Sequence, residues 1–312
     1  MVNLDSTQLA KLLPYEDLVK ALREAFAGSS VVPERSHHDI NVPGSIPASL
    51  LLMPAWQEGE HIGVKLVTVF PGNVDASVNA CYMLFDANNG QLLAQLDGNE
   101  LTLRRTAAAS ALASDYLSRK DSRHLLIVGT GKLARRLVQA HASVRPLEQV
   151  TIWGRNPENA EKVAADIDQG KLDVNVAKDL AAATTEADII STATLASLPL
   201  IKGEWLRQGQ HLDLVGAFKP DMAEADGEAL KRACVFVDTR HGALNEAGEI
   251  IQALDEGYIE QHDILAELSE LCSGEKPGRV TDEEITLFKS CGTALEDLAA
   301  ARLAIQQQVH AE

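Results

Sequence analysis

The stretch "HLLIVGTGKLARRLVQAHASV", residues 124–144, decides the fold of this chain. A short apolar run leads directly into Gly129, Gly131 and Ala134, spaced G-x-G-x-x-A, and then into an amphipathic segment. In dinucleotide-binding units the first glycine makes a tight turn, the second admits the pyrophosphate, and the third small residue lets the helix pack. The helix amides complement the phosphates. The pattern predicts a phosphate loop formed by Gly129, Thr130, Gly131, Lys132, Leu133 and Ala134; a glycine-rich turn without a ligand is the alternative.

The sequence around this loop alternates between apolar runs and helical segments. Runs such as "QVTIW", "DIISTAT", "HLDLVGAF" and "CVFVDT" are separated by amphipathic stretches, which is typical of a parallel sheet covered by helices. We predict an α/β fold: a Rossmann doubly wound parallel sheet over residues 118–290, and an α+β domain over residues 1–117. The last helical segment, 291–312, is expected to return to the first domain.

The end of the second predicted strand of this unit indicates which dinucleotide is bound. An acidic residue usually holds the adenosine ribose there, but this chain has Arg155 and Asn156. An arginine suits a 2′-phosphate, so NADP (NADPH) is favoured and NAD is the alternative; an exposed loop arginine is the simpler interpretation. The other residues expected to bind the cofactor are Thr192, Ala193, Thr194, Gly216 and Phe218.

Composition and charge limit the classes of partner. The chain has 312 residues and a formal charge of −17, which repels nucleic acid and anionic membranes and favours a small-molecule partner. Neither a signal peptide nor an apolar stretch of transmembrane length is evident, so a cytoplasmic location is expected. The four scattered cysteines show no metal-ligand spacing, and no metal site is expected.

Basic residues stand in unusual places in the first domain. Lys65 lies inside the apolar strand "GVKLVTVF", where a buried ammonium is costly unless it is paired, and Arg35 follows Pro33 in an extended segment. A bound carboxylate would neutralise such cations. A strand with one solvated face is the simpler interpretation of Lys65.

Two further arginines precede an alanine run. The run predicts a helix over residues 106–114, which would put Arg104 and Arg105 at its N-terminal end, where the helix dipole is already positive. A carboxylate ligand that accepts from the helix amides and from a guanidinium would explain this placement. Pairing of Arg105 with Glu100 or Asp97 is the alternative.

Taken together, these segments resemble the ornithine cyclodeaminase/mu-crystallin family. The similarity covers nearly the whole chain through Pro33–Arg35, "VKLVTVFPGN", "LRRTAAASALAS", "VGTGKLAR", "DIISTATLASLPLI", "VGAFKPDMAE" and "EITLFKSCGTALEDLAAA". It implies a homodimer whose first domain serves substrate binding and dimerisation. It also implies that Arg35, Lys65 and Arg105 hold a substrate carboxylate, while Arg104 receives no role. His37 and His38 are a weaker acid candidate than Lys65 and are interpreted as loop residues.

One departure from the family pattern narrows the activity. Cyclodeaminases carry a catalytic Asp where this chain, aligned on Gly216, Pro220 and Glu224, has Phe218. The resemblance therefore implies an NAD(P)H-dependent reductase of small cyclic imino acids, converting Δ1-pyrroline-2-carboxylate to proline or Δ1-piperideine-2-carboxylate to pipecolate, with Lys65 as the catalytic group. An alanine dehydrogenase, an ornithine cyclodeaminase and a dinucleotide-dependent binding protein of the crystallin type are the alternatives.

Overall fold

The computed structural model describes residues 1–73, 78–167, 170 and 172–311. The chain forms two compact units, one built from Met1–Thr106 and Thr293–Glu312 and the other from Ala107–Gly292. The predicted boundary followed residue 117 instead. The observed boundary lies earlier in the chain because the alanine-rich segment that follows Thr106 packs within the second unit. In that unit Ser110 donates a 3.1 Å hydrogen bond to Asp213.

Fourteen strands and eleven α-helices cover the described residues. Through the first third of the chain they are β1 (Val2–Leu4), α1 (Ser6–Leu12), α2 (Tyr15–Ala27), β2 (Ser36–Ile40), β3 (Ala48–Gln57), β4 (His61–Val69), β5 (Val78–Asp86), β6 (Leu92–Asp97) and α3 (Gly98–Leu117). Then follow β7 (His124–Val128), α4 (Ala134–Ala142), β8 (Gln149–Trp153), α5 (Pro157–Ala165), β9 (Asp173–Val176), α6 (Leu180–Glu186), β10 (Ile189–Thr192) and β11 (His211–Leu214). The last are α7 (Gly227–Arg232), β12 (Cys234–Val237), α8 (Arg240–Glu246), α9 (Gly248–Asp255), β13 (Ile264–Glu267), α10 (Leu268–Ser273), β14 (Thr286–Lys289) and α11 (Ala294–Ala311).

The first unit is a six-stranded sheet in the order β1-β6-β5-β4-β3-β2, antiparallel except between β1 and β6. Helix α11 packs on β3, β4 and β5. Strand alternation turns Lys65 and its cross-strand neighbour Tyr82 into the buried face. The opposite face carries large apolar side chains that stay partly exposed.

Helix α3 begins earlier than the sequence predicted. It starts at Gly98 rather than at residue 106, and the Asp97 carboxylate accepts from the Glu100 backbone N–H at 2.8 Å. Residues 98–105 are compatible with a helix, and Asp97 satisfies one of its first amides. Arg104 and Arg105 therefore lie about two turns inside α3. The expectation that they flank open helix amides is wrong.

The second unit is an eight-stranded parallel sheet in the order β13-β12-β14-β11-β10-β7-β8-β9. Chain order reverses at β7, which lies between β8 and β10, so this sheet is doubly wound and the expected α/β class is confirmed. The sequence analysis missed β13 and β14. Strand β14 was overlooked because it ends in a charged residue, Lys289, which the fold buries completely.

None of the helices in the described part of the chain is both long enough and apolar enough to cross a membrane.

Candidate functional site: a phosphate loop and a buried charge cluster

The predicted phosphate loop lies at the carboxyl end of β7. Gly129 has a φ of +129°, and a Cβ there would lie 2.5 Å from the Ala193 carbonyl oxygen, so only glycine fits. A Cβ at Gly131 would instead meet no heavy atom within 4 Å, which leaves open space beside the backbone. Helix α4 begins three residues later, at Ala134, with its amide end at this space. These features fit the pyrophosphate of a dinucleotide.

The residues after β10 lie beside this loop. The Ala193 N–H donates to the Val128 carbonyl at 2.9 Å, which places residues 192–194 at the reversal of strand order. Thr192 is fully buried, whereas Thr194 is partly exposed. In open α/β sheets ligands bind in the crevice at such a reversal of strand order, so Thr192, Ala193 and Thr194 lie where a cofactor site is expected.

A buried carboxylate braces this crevice. Glu224 is fully buried, and its Oε1 accepts from the Thr194 N–H at 2.6 Å and from the Thr194 hydroxyl at 2.8 Å. Its Oε2 accepts from the Gly216 N–H at 2.6 Å. One side chain therefore joins the segments that follow β10 and β11. The sequence analysis used Glu224 only to align the chain and missed this role.

A second carboxylate acts similarly at the ends of β12 and β14. Asp238 accepts backbone hydrogen bonds from Thr239 at 2.6 Å, Cys291 at 2.7 Å and Gly292 at 2.6 Å. Burial raises the pKa of Asp238, and the three N–H donors oppose that shift. Buried acids thus link the segments at the carboxyl edge of the sheet through hydrogen bonds.

Arg155 and Asn156 follow β8, as predicted. A Cβ at Gly154 would lie 2.5 Å from the Thr130 methyl, so the residue before Arg155 packs against the phosphate loop. The Arg155 side chain is exposed. The Asn156 side chain accepts from the Glu158 N–H at 2.9 Å and caps α5, so its oxygen already has a structural role.

Phe218 lies on the segment after β11. Its ring is 45% exposed, and the Lys219 ammonium lies 5.9 Å from the ring centroid. An exposed aromatic side chain two residues beyond the Glu224-braced Gly216 offers an apolar surface to a ligand.

The first unit holds a separate buried charge cluster. The Lys65 ammonium lies 2.7 Å from the Asp297 Oδ2, and Arg105 donates from Nε to the Asp297 Oδ1 at 2.9 Å and from Nη1 to the Glu296 Oε2 at 2.6 Å. Each of the four side chains is at least nine-tenths buried. Burial lowers the pKa of Lys65 to about 8, although Asp297 opposes this shift. Burial acts in the same direction on Arg105, but Asp297 and Glu296 raise its pKa above the usual value.

These contacts change the explanation of the basic residues. Internal carboxylates neutralise Lys65 and Arg105, so burial alone does not require a bound anion. Glu100, offered as a partner for Arg105, pairs instead with Arg104 at 2.9 Å. Arg104 also donates to the Leu13 carbonyl at 2.9 Å and lies 5.4 Å from the Tyr15 ring centroid. Arg104 therefore has a structural role.

The remaining predicted residues lie at the edge of the same sheet. Arg35 is half-buried and directly precedes β2, whose first residue pairs with Leu52; the next residue of β3, Met53, pairs with Lys65. His37 and His38 are exposed within β2 rather than in a loop, and the His37 Nε2 lies 4.0 Å from the Asp39 carboxylate.

The sequence analysis missed Glu296 and Asp297. They lie in "ALEDLAAARLA", residues 294–304, where almost every other side chain is Ala or Leu and is largely buried. An adjacent acidic pair inside such an apolar helix is a signal that buried cations face it.

A doubly wound sheet with a glycine-rich loop at its strand reversal defines a dinucleotide-binding protein. The chain belongs to the ornithine cyclodeaminase/mu-crystallin family, whose model matches residues 4–312. A curated relative, the Δ1-pyrroline-2-carboxylate reductase of Colwellia psychrerythraea, is 38% identical over 311 residues, covering 97% of this chain and 98% of that protein.

Two solved structures are similar over the full length. The Thermococcus litoralis Δ1-pyrroline-2-carboxylate reductase, in complex with NADH and L-proline, is 36% identical with a TM-score of 0.92, covering 100% of this chain and 98% of that one. An archaeal alanine dehydrogenase dimer with bound NAD is 30% identical with a TM-score of 0.90, covering 100% and 97%. The expected family and fold are therefore confirmed.

Proposed function

We propose that this protein is an NAD(P)H-dependent reductase of small cyclic imino acids, with Δ1-pyrroline-2-carboxylate as the first candidate substrate. The observation that carries the proposal is the coexistence of a dinucleotide cradle at Gly129–Gly131 with a buried cluster that still has cationic donors to offer. Full-length similarity to reductases that bear this name supports it.

The charge cluster suits a carboxylate that carries a neighbouring positive charge. Lys65, Arg105, Glu296 and Asp297 sum to zero formal charge. Within the described residues the Nη2 of Arg105 makes no hydrogen bond, and the Lys65 ammonium uses one of its three N–H groups on Asp297. These donors bind the substrate carboxylate. A neutral cluster also tolerates a protonated imine, so the ligand binds as a zwitterion.

The reaction requires a hydride at C2 and a proton at nitrogen. A bound reduced nicotinamide would supply the hydride for C2 and would itself be oxidised. Lys65 donates the proton or keeps the imine protonated, because a buried ammonium with a pKa of about 8 exchanges a proton near neutral pH. Arg35 and Arg105 hold the carboxylate while Lys65 acts.

NADPH is the preferred form of the cofactor. Arg155 follows β8 where an acid would hold the ribose of NAD, its side chain is exposed, and the preceding residue, Gly154, packs against Thr130 of the phosphate loop. The second nucleotide-binding element is the segment Thr192–Thr194, held by Glu224. NADH remains the alternative, because the named structural neighbours contain NADH or NAD.

Phe218 separates this function from cyclodeamination. A phenylalanine side chain has no group that can accept a proton, so Phe218 cannot serve as the base that deprotonates the terminal amine of ornithine. The partly exposed ring provides a surface for the methylenes of a cyclic imine instead.

Turnover tests the proposal directly. The purified protein is mixed with each cyclic imine in turn, with NADPH or NADH, and the absorbance of the reduced nicotinamide is followed. Oxidation with stoichiometric proline or pipecolate supports the proposal. Ammonia release from ornithine favours a cyclodeaminase, reduction of pyruvate plus ammonia an alanine dehydrogenase, and tight imine binding without turnover a crystallin-like binding protein.

The protein works as a homodimer joined through the open face of the six-stranded sheet. That face carries partly exposed, uncharged side chains on three adjacent strands, namely Leu50, Leu52, Trp56, Ile62, Val64, Leu66, Met83 and Phe85. Two copies of a strongly acidic chain repel each other less where the contact is apolar. Val64→Glu should convert a dimer to a monomer in sedimentation, whereas a monomeric wild type contradicts this assembly.

The four cysteines are free thiols, which supports the cytoplasm as the working compartment.

A further inference from the structure

One carboxylate joins both buried cations of the first unit. The Asp297 Oδ1 accepts from the Arg105 Nε at 2.9 Å, and its Oδ2 lies 2.7 Å from the Lys65 ammonium. Of these two cations, Glu296 contacts Arg105 and not Lys65. We propose that Asp297 is a positioning residue of the imino-acid site, whose carboxylate bridges Lys65 and Arg105, fixes both cations, and keeps the Lys65 ammonium charged. This inference rests on the proposed function.

The Asp297 bridge orients the N–H groups of Lys65 and Arg105 that are proposed to bind the substrate carboxylate. Asp297 and Glu296 occupy the Nε and Nη1 donors of Arg105, so its Nη2 is the donor left for a ligand. The lysine stem has four rotatable bonds, and an ion pair at its end fixes a side chain that would otherwise lose much freedom when a ligand binds. Asp297 thus orders Lys65 before the substrate arrives.

The bridge also sets the charge of Lys65. The charged groups that face its ammonium are Asp297 and Glu296 from α11 and Arg105 from α3, and Tyr82 lies opposite it on β5. Burial and Arg105 favour the neutral amine, while the two acids favour the ammonium, and Asp297 is the closer acid. Replacing Asp297 with a neutral side chain lowers the pKa of Lys65 below about 8. A neutral amine has no charge to offer a carboxylate and no acidic proton to donate.

The test compares Asp297→Asn with Glu296→Gln and a control, Asp17→Asn, which removes a carboxylate that accepts from Gln307 of α11 at 3.3 Å. We measure kcat and KM for the imine against pH, the Kd of pyrrole-2-carboxylate as an unreactive planar probe, and the Kd of NADPH. Asp297→Asn should raise the imine KM and the probe Kd at least tenfold and leave the NADPH Kd within twofold of wild type.

The pH profile separates positioning from a merely structural role. Since the ammonium form is required, kcat/KM falls as the pH rises through the pKa of Lys65. We expect this alkaline limb to move to lower pH by about one unit in Asp297→Asn, while Glu296→Gln raises KM and moves the limb less. The substrate's own titration is common to every variant, so the displacement reports on the enzyme.

A double-mutant cycle tests whether Asp297 acts through Lys65. The losses of kcat/KM in Asp297→Asn and Lys65→Met should be far from additive. Additive losses, or an alkaline limb that coincides with wild type, overturn the inference. If Asp297→Asn does not fold, Asp297→Glu keeps the charge and should retain the wild-type limb with a raised KM; a displaced limb contradicts the idea. If the wild type shows no turnover, the proposed function is refuted. The effect of Asp297→Asn on the Kd of pyrrole-2-carboxylate still tests whether Asp297 positions Lys65 and Arg105.

Discussion

The two candidate sites are built by opposite physical means. In the second unit the phosphate loop uses backbone amides, a positive φ at Gly129 and open space at Gly131, all within six consecutive residues. In the first unit the charge cluster uses side chains from three distant segments, at Lys65, Arg105 and the pair Glu296–Asp297. The comparison shows that a backbone site is encoded locally, while a side-chain site exists only after long-range packing.

The strongest test of this contrast is Lys65→Met. The change removes the proposed proton donor, and of the two cations that contact Asp297 it leaves Arg105 in place. We therefore expect kcat/KM to fall by a factor of roughly 10² to 10⁴. Stopped assays with the imine give kcat/KM, and NADPH affinity should stay unchanged. The matched control is Lys20→Met on the exposed side of α2. Near wild-type turnover in Lys65→Met would mean that another group serves as the acid.

Gly131→Val tests the backbone site. A Cβ added there meets no heavy atom within 4 Å apart from its chain neighbours, so the melting temperature should stay near that of wild type, while the branched side chain occupies the space proposed for the pyrophosphate. A clash of this kind costs about 1–3 kcal/mol, which corresponds to a marked rise in the NADPH Kd. Calorimetric titration measures this Kd. Unchanged affinity would show that the phosphates lie elsewhere.

Glu224→Gln tests the brace that links the two strand ends. The amide cannot accept on both sides as the carboxylate does, so either the Thr194 or the Gly216 N–H loses a buried acceptor. The cost should be about 1–3 kcal/mol in unfolding free energy, with weaker cofactor binding. Denaturant unfolding and NADPH titration check both effects against Glu204→Gln, an exposed site in the same unit. If stability falls while the NADPH Kd stays at its wild-type value, the brace has no part in the cofactor site.

Arg155→Asp should give the smallest effect, because the side chain is exposed and solvent screens its charge. Replacing a cation with an anion should shift the ratio of kcat/KM values from NADPH toward NADH by roughly fivefold or more. Parallel assays with both cofactors give the ratio, and Arg123→Asp, which removes another exposed arginine of this unit, is the control. An unchanged ratio would mean that Arg155 does not face the adenosine ribose.

In the second unit, local sequence patterns predicted several strands and helices correctly. The apolar run before Gly129 became β7 at the predicted residues, and the run "QVTIW" became the strand at Gln149–Trp153. Such features depend on neighbours within a few residues. Strand β14 escaped prediction because its last residue is the charged Lys289, although the strand lies between β11 and β12.

By itself, the sequence determined the doubly wound class and the phosphate loop, because φ angles, glycine spacing and strand–helix alternation are properties of short segments. The tertiary structure decided which partners the basic residues take. For Arg105 the sequence offered Glu100, Asp97 or a ligand as the partner, and for Lys65 it offered a ligand or a strand with one solvated face. The fold supplied Glu296 and Asp297, which are 191 and 192 residues from Arg105. Such a pairing depends on how α11 packs on the sheet, and no local pattern encodes that contact.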